Sequence, residues 1–218
     1  MTGNESTVAH GPEHGLERLI FFSDAVFAIA ITLLIIDIHV PHLPWGSPDG
    51  AYWAALLNLA PQFAGFFISF YVIGSFWAGH HREMALATHW SPSILLPNLM
   101  LLSTIAAIPF FTAFASANPA MRVPIFCYCL WLLVCAVANR RLQGIVTKPP
   151  IIGEHVTCAQ VETVNQRGNA VILGTGFAAL VSLVVPALGQ LALTTIPLWR
   201  WLLRRHGDRR HRRFDEAT

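Results

Sequence analysis

The sequence predicts an all-α membrane protein with six transmembrane helices per subunit, and three observations carry that reading. Of 218 residues, 54% are hydrophobic and 12% charged, about half the charge of an ordinary soluble domain. Apolar runs long enough to cross a bilayer core of about 30 Å recur along the chain. The basic residues fall almost wholly on one side of those runs, as cytoplasmic loops require. This composition, with a mean hydropathy of +0.52, leaves no room for a large soluble catalytic module. It also excludes a mainly disordered chain, which needs low hydrophobicity and high net charge.

The elements follow in order. Residues 1–17 are expected to form a cytoplasmic N-terminal segment. Its opening MTGNESTVAHGPEHG lacks Lys and Arg, so it is not the basic n-region of a signal peptide. The first span is therefore expected to stay in the mature protein. It covers Leu19–Val40 and carries Ser23, Asp24, Asp37 and His39. The turn-rich PHLPWGSPDG leads to a second span, Trp53–Ala78, and the third and fourth are Ile94–Ala115 and Val123–Ala138.

A longer connection, Asn139–Asn169, is expected to hold at most a short surface helix around Thr157–Gln166. The last apolar run, Ala170–Leu203, is too long for one crossing at 1.5 Å per residue. Pro186 and Gly189 mark a hairpin between two short spans. The transmembrane domain thus covers residues 18–203, and a basic cytoplasmic tail covers 204–218.

Six spans put both termini on one side. Arg18, Arg82, Arg140, Arg141, Lys148, Arg167 and seven arginines from Arg200 to Arg213 then share that side, and Arg122 alone falls on the other. The protein is accordingly expected in the cell inner (plasma) membrane with both termini cytoplasmic. The arginine-rich end directly follows an apolar run, so it reads as an anchor to anionic lipid and not as a nucleic-acid interface. Cys127, Cys129, Cys135 and Cys158 match no CxxC motif and read as small apolar helix residues.

Ionisable residues inside a span are costly and mark function. Asp24 is the hardest to place at an interface, and needs a partner or a proton. At 100° per residue it projects about 120° from Arg18, so the two are not an i,i+4 pair and their partners belong to neighbouring helices. Ile29, Leu33 and Ile36 stack on one face with Thr32 beside them, and Asp24 points about 140° away. Near the cytoplasmic end of the second span, His80 or His81 could reach Ser23 or Asp24 by hydrogen bonding. The two histidines are adjacent, project apart and lack a further ligand nearby, so no metal is expected.

These residues carry a resemblance. Arg18, Phe22, Ser23 and Asp24, followed by the apolar AVFAIAITLL, are similar to the RxxxFSD first helix of the TMEM175 family of potassium channels. Trp77, His80, His81 and Arg82 resemble the end of that family's second helix. The resemblance implies a single six-helix repeat of the bacterial type, assembled as a homotetramer in the lipid bilayer, and no enzyme activity. It implies a pore lined by the first helix of each subunit, with Ile29, Leu33 and Ile36 as its hydrophobic constriction and Thr32 tied to potassium preference. Arg18, Phe22, Ser23, Asp24, Trp77, His80 and His81 would then hold the first helix to its neighbours. No cofactor is implied; potassium is the permeant ion.

The sequence has no TVGYG filter and no re-entrant loop, so the tetrameric channel that the resemblance implies would be of a non-P-loop architecture. Selectivity by carbonyl rings is not available to it. Preference for potassium would come from constriction width, the Thr32 hydroxyls and partial dehydration. For Asp37 two roles stand open: concentrating cations at the outer mouth, or simply sitting at the interface. Two other functions fit these residues less well. A haem oxidoreductase would need histidines at mid-membrane, and none of the ten lies there. A proton-coupled transporter would use Asp24 as carrier, but the first span lacks the break such sites require.

Overall fold

The computed structural model describes residues 12–215, with side chains from residue 14 to 205. The expectations for residues 1–11, for 216–218 and for the side chains beyond 205 lie outside the described residues. What is described is all-helical: α1 Pro12–Ile36, α2 Asp49–Asn58, α3 Ala60–Met84, α4 Leu95–Ala106, α5 Ile108–Ala117, α6 Arg122–Val146, α7 Cys158–Val184, α8 Pro186–Ala192 and α9 Ile196–Asp215. α1 packs on α3, α4 and α5, α6 runs against α4 and α5, and α7 joins α6 to α8 and α9.

Five stretches among the described residues are long and apolar enough to cross a membrane: His14–Ile36, Ala60–Met84, Pro92–Ala117, Arg122–Val146 and Cys158–Val184. The sixth expected crossing is not one long helix. Its residues form α8, a 3₁₀ turn over Leu193–Thr195, and α9, which continues through Asp215 into the expected tail. Arg200 falls inside that last stretch and lowers its mean hydropathy.

Several boundaries differ from the sequence reading, each for a local reason. The second crossing starts at Ala60 and not at Trp53, because Pro61 stands at the start of a new helix and has no N–H to continue the old one. Residues 49–58 make the separate, exposed α2. Pro109 similarly divides the third span into α4 and α5. The fourth span runs past Ala138 to Val146, since its polar residues Asn139 and Gln143 turn inward and are buried.

The fifth span begins at Cys158 and not at Ala170. Thr157 and Gln160 form a capping box there, each side chain engaging the other's backbone, which satisfies two orphan amides at the helix start. The expected surface helix around Thr157–Gln166 is therefore the first turns of α7. The hairpin after α7 turns at Val185–Pro186. Gly189 is not part of the turn but a close-packing point: a Cβ there would lie 2.6 Å from the Ser182 Cβ. Gly174 does the same work against Ile196 at 2.5 Å, and such small residues let membrane helices approach.

Both ends of the described bundle lie where α3 finishes. Gly15 abuts Trp90, 3.1 Å from a would-be Cβ, and Arg200 is within electrostatic reach of Arg82. The two loops at this end pair through backbone bonds from Thr88 N–H to Ile151 O and from Gly153 N–H to Leu86 O, both 3.0 Å. Cys129 and Cys135 are buried apolar members of α6.

Candidate functional site: two faces of the first helix

The helical period divides α1 cleanly. Leu19, Ser23, Phe27, Ala30 and Leu34 are buried and lie on one face. The opposite face carries Phe22, Ile29, Leu33 and Ile36, exposed by 51, 57, 40 and 66%. Arg18 and Thr32 are exposed on that same open side. A helix of a soluble bundle would expose polar residues there. Here the uncovered side is apolar, with a cation at one end and a hydroxyl midway. The Thr32 hydroxyl donates to Ile29 O at 2.9 Å, within its own helix, and so adds little desolvated polarity to the face.

The buried face is held by a chain of hydrogen bonds. Ser23 Oγ donates to Leu19 O at 2.8 Å, and Asn98 Nδ2 donates to Ser23 Oγ at 2.9 Å. His80 Nε2 completes it on Asn98 Oδ1 at 2.8 Å. A backbone carbonyl only accepts, so the chain runs one way. Asn98 presents its amide nitrogen to Ser23 and its oxygen to His80, and His80 carries its proton on Nε2. The residues Ser23, Asn98 and His80 are fully buried and join α1, α4 and α3. Phe27 tilts against the His80 ring, centroids 5.5 Å apart.

Asp24 sits at the edge of this face, half-buried. Its Oδ1 accepts from Trp77 Nε1 at 2.8 Å, and Trp77 in turn lies over His81 with ring centroids 5.9 Å apart. The structure therefore brings Ser23, Asp24, Trp77 and His80 into one region, with His81 touching it through a ring contact. His80 reaches Ser23 through Asn98 and not directly. Arg18 and Phe22 are not part of the cluster, and Arg18 makes no hydrogen bond or ion pair among the described residues.

Asn98 is the residue that sequence reasoning missed. A lone amide inside an apolar span was the available signal. At the far end of α1, exposed His39 bonds the Asp37 carbonyl through Nδ1 at 2.9 Å, beside a crevice of about 290 Å³ that also meets Gln62 and Thr112.

Comparison with known proteins places this geometry. Residues 18–109 match the family described as "Endosomal/lysosomal potassium channel TMEM175". A potassium channel of Chamaesiphon minutus is 30% identical over 154 residues, covering 69% of this chain and 75% of that one. The chain belongs to the TMEM175 family. A potassium channel of Streptomyces collinus is 36% identical over 135 residues, 60% of this chain and 64% of its own length. The match thus spans a little less than two thirds of that relative.

Among solved structures, the crystal structure of a lysosomal potassium-selective channel TMEM175 homolog from Chamaesiphon minutus superposes with a TM-score of 0.71. It is 24% identical, and the match covers 88% of this chain and 97% of that one. The TMEM175 fold is therefore present over nearly the whole chain. The RxxxFSD signature lies at the start of the matched region, and the polar chain from Ser23 to His80 lies within it. These relatives are channels and not enzymes.

Proposed function

We propose that this chain is a passive, potassium-permeable channel, working as a homotetramer in the cell inner membrane with both termini cytoplasmic. The observation that carries the reading is the uncovered apolar face of α1, back to back with a face tied down by hydrogen bonds. Four copies arranged about an axis cover these faces with one another. Ile29, Leu33 and Ile36 then form apolar rings that gate by dewetting, and Thr32 lines the same pore. Potassium enters as permeant ion because the relatives are potassium channels. The composite of α8 and α9 serves as the sixth crossing, which returns the chain to the side where it began. Residues 18–203 are the channel domain, flanked by the segment 1–17 and the tail 204–218.

In this assembly Ser23, Asp24, Trp77, His80 and His81 set the pitch of the pore helix, while Arg18 and Phe22 face the neighbouring copies. The proton-coupled transporter is the weaker reading, since the Asp24 carboxylate is already engaged by Trp77. The test is cation flux in proteoliposomes, with potassium and sodium compared. Ile29→Asn and Leu33→Ala are expected to raise flux severalfold and to narrow any preference for potassium. Absence of flux in the wild type and in both variants would overturn the channel. A complex mass other than four subunits would overturn the tetramer alone.

A further inference from the structure

Away from α1, a crevice of about 670 Å³ opens between α3, α6, α7, α8 and α9. That is the size of an ordinary small-molecule site. Its walls change character along their length. Toward the bilayer centre they are apolar, with Ile68, Val72, Leu132 and Leu191. At the end where α3 finishes they hold Arg82, Glu83, Asn139, Gln143 and Arg167. From Ile68 to Glu83 is about 22 Å along the helix, so the crevice has the polarity gradient and length of half a bilayer.

The polar end is chemically unfinished. Glu83 is 3% exposed, and its Oε1 accepts from Asn139 Nδ2 at 3.2 Å and from Gln143 Nε2. Its Oε2 has no partner, and neither have Asn139 Oδ1 nor Gln143 Oε1. Three acceptor oxygens on three buried side chains thus lack a donor. Buried polar groups are seldom left so, because each costs its full desolvation.

A donor without an acceptor, Arg167 Nε, belongs to a residue of the same crevice. Arg167 Nε and Arg200 Nε are buried and unpaired, and Arg167 is within electrostatic reach of Arg82, Arg200 and Arg204. None of these arginines forms an ion pair with an acid among the described residues.

The set calls for a ligand with N–H donors and an anion close together on an apolar body. We propose that the crevice binds a phospholipid whose headgroup carries a phosphate and a primary ammonium. Glu83, Asn139 and Gln143 hold the ammonium, Arg82 and Arg167 hold the phosphate, and an acyl chain lies along the apolar walls. The arrangement matches a lipid of the leaflet on that side, head at the helix ends and chain toward the midplane. A quaternary choline head has no N–H to give and leaves the three oxygens unpaired. A glycerol head offers hydroxyls but no cation. The proposal does not rest on ion conduction.

The test is lipid retention, which reads neither flux nor assembly. The full chain is reconstituted in vesicles of equal phosphatidylethanolamine, phosphatidylcholine and phosphatidylglycerol, extracted in mild detergent, and its bound lipid identified by native mass spectrometry. Phosphatidylethanolamine is expected about tenfold above phosphatidylcholine, the worth of one charge-assisted hydrogen bond. Glu83→Gln should bring that ratio close to unity, and Arg167→Gln should lower retention of every phospholipid.

Equal retention of the ethanolamine and choline lipids by the wild type would overturn the site. So would preference for phosphatidylglycerol, which would reduce the arginines to a basic surface, or no retained lipid at all. Free phosphoethanolamine, added at millimolar concentration, should not displace the lipid. Complete displacement would show that the headgroup alone is recognised and the crevice holds no chain. Should Glu83→Gln not fold, the wild-type ratio between the two lipids still decides.

Discussion

Two clusters of buried polar side chains occupy the same end of the bundle, and they are finished to different degrees. In the first, His80, Asn98 and Ser23 each donate a hydrogen bond to the next acceptor in a chain that ends on the Leu19 carbonyl. Every group that links the three helices has a partner, leaving only His80 Nδ1, itself buried, unpaired. In the second, Glu83 collects two amide donors on one oxygen and leaves three buried acceptors without a partner beside a crevice. Each cluster joins residues of at least two helices. A satisfied network in low dielectric specifies a single arrangement of its helices, whereas a half-satisfied one costs more than apolar packing would. The first is built to fix α1 in place. The second makes physical sense when something else completes it.

The largest effect should come from breaking the first cluster. Asn98→Leu removes both bonds that tie α1 and α3 to α4, and leaves His80 Nε2 buried without an acceptor. Interhelical bonds in membrane proteins are worth up to about 1.7 kcal/mol each, so a loss of about 1–3 kcal/mol is expected, read as a lower midpoint in thermal unfolding in detergent. A midpoint equal to the wild type would mean the polar chain does not hold the bundle.

Trp77→Phe is milder. It keeps an aromatic ring near His81 and removes the N–H that Asp24 accepts at 2.8 Å. Asp24 is only half-buried, so water can replace the donor in part. About 1 kcal/mol is the expected loss, the net value of one hydrogen bond. Asp24→Asn should cost less again, since an amide oxygen can still accept from Trp77. If Asp24→Asn proved the more damaging, the charge and not the hydrogen bond would be the working part of the motif.

The unequal legibility of the two clusters has a physical basis. Asp24 stands out because a charge inside an apolar run has no cheap explanation, and helical projection places it about 140° from the stripe of Ile29, Leu33 and Ile36. Asn98 was hidden by its neutrality: one amide among Leu, Pro and Met barely changes a hydropathy average. Asn139 and Gln143 were hidden differently. They looked like the start of a loop after Ala138, because a hydropathy reading ends a helix where polarity begins, whatever direction the side chains face. Glu83 likewise follows His81 and Arg82 and reads as the wet end of a span. Only the register of α6 against α3 shows that these polar residues meet one another. The broken course of the last apolar stretch is half legible, since Pro186 marks its start correctly while Gly189 belongs to packing against Ser182.

The smallest expected effect on stability is the most discriminating one. Glu83→Gln keeps the size and shape of the side chain and retains an oxygen to accept from Asn139 and Gln143. It removes a carboxylate whose second oxygen has no partner, and relieving an incompletely paired buried charge is often neutral or stabilising. With the crevice stripped of lipid, the unfolding midpoint should therefore move by no more than about 0.5 kcal/mol equivalent, in either direction. The contrast with Asn98→Leu then becomes a measurement: one polar cluster defended by stability, the other by what it binds. A loss after Glu83→Gln as large as that after Asn98→Leu would mean that Glu83 is structural as well. The three open oxygens would then be an accepted cost of joining α3 to α6, with no ligand needed to explain them.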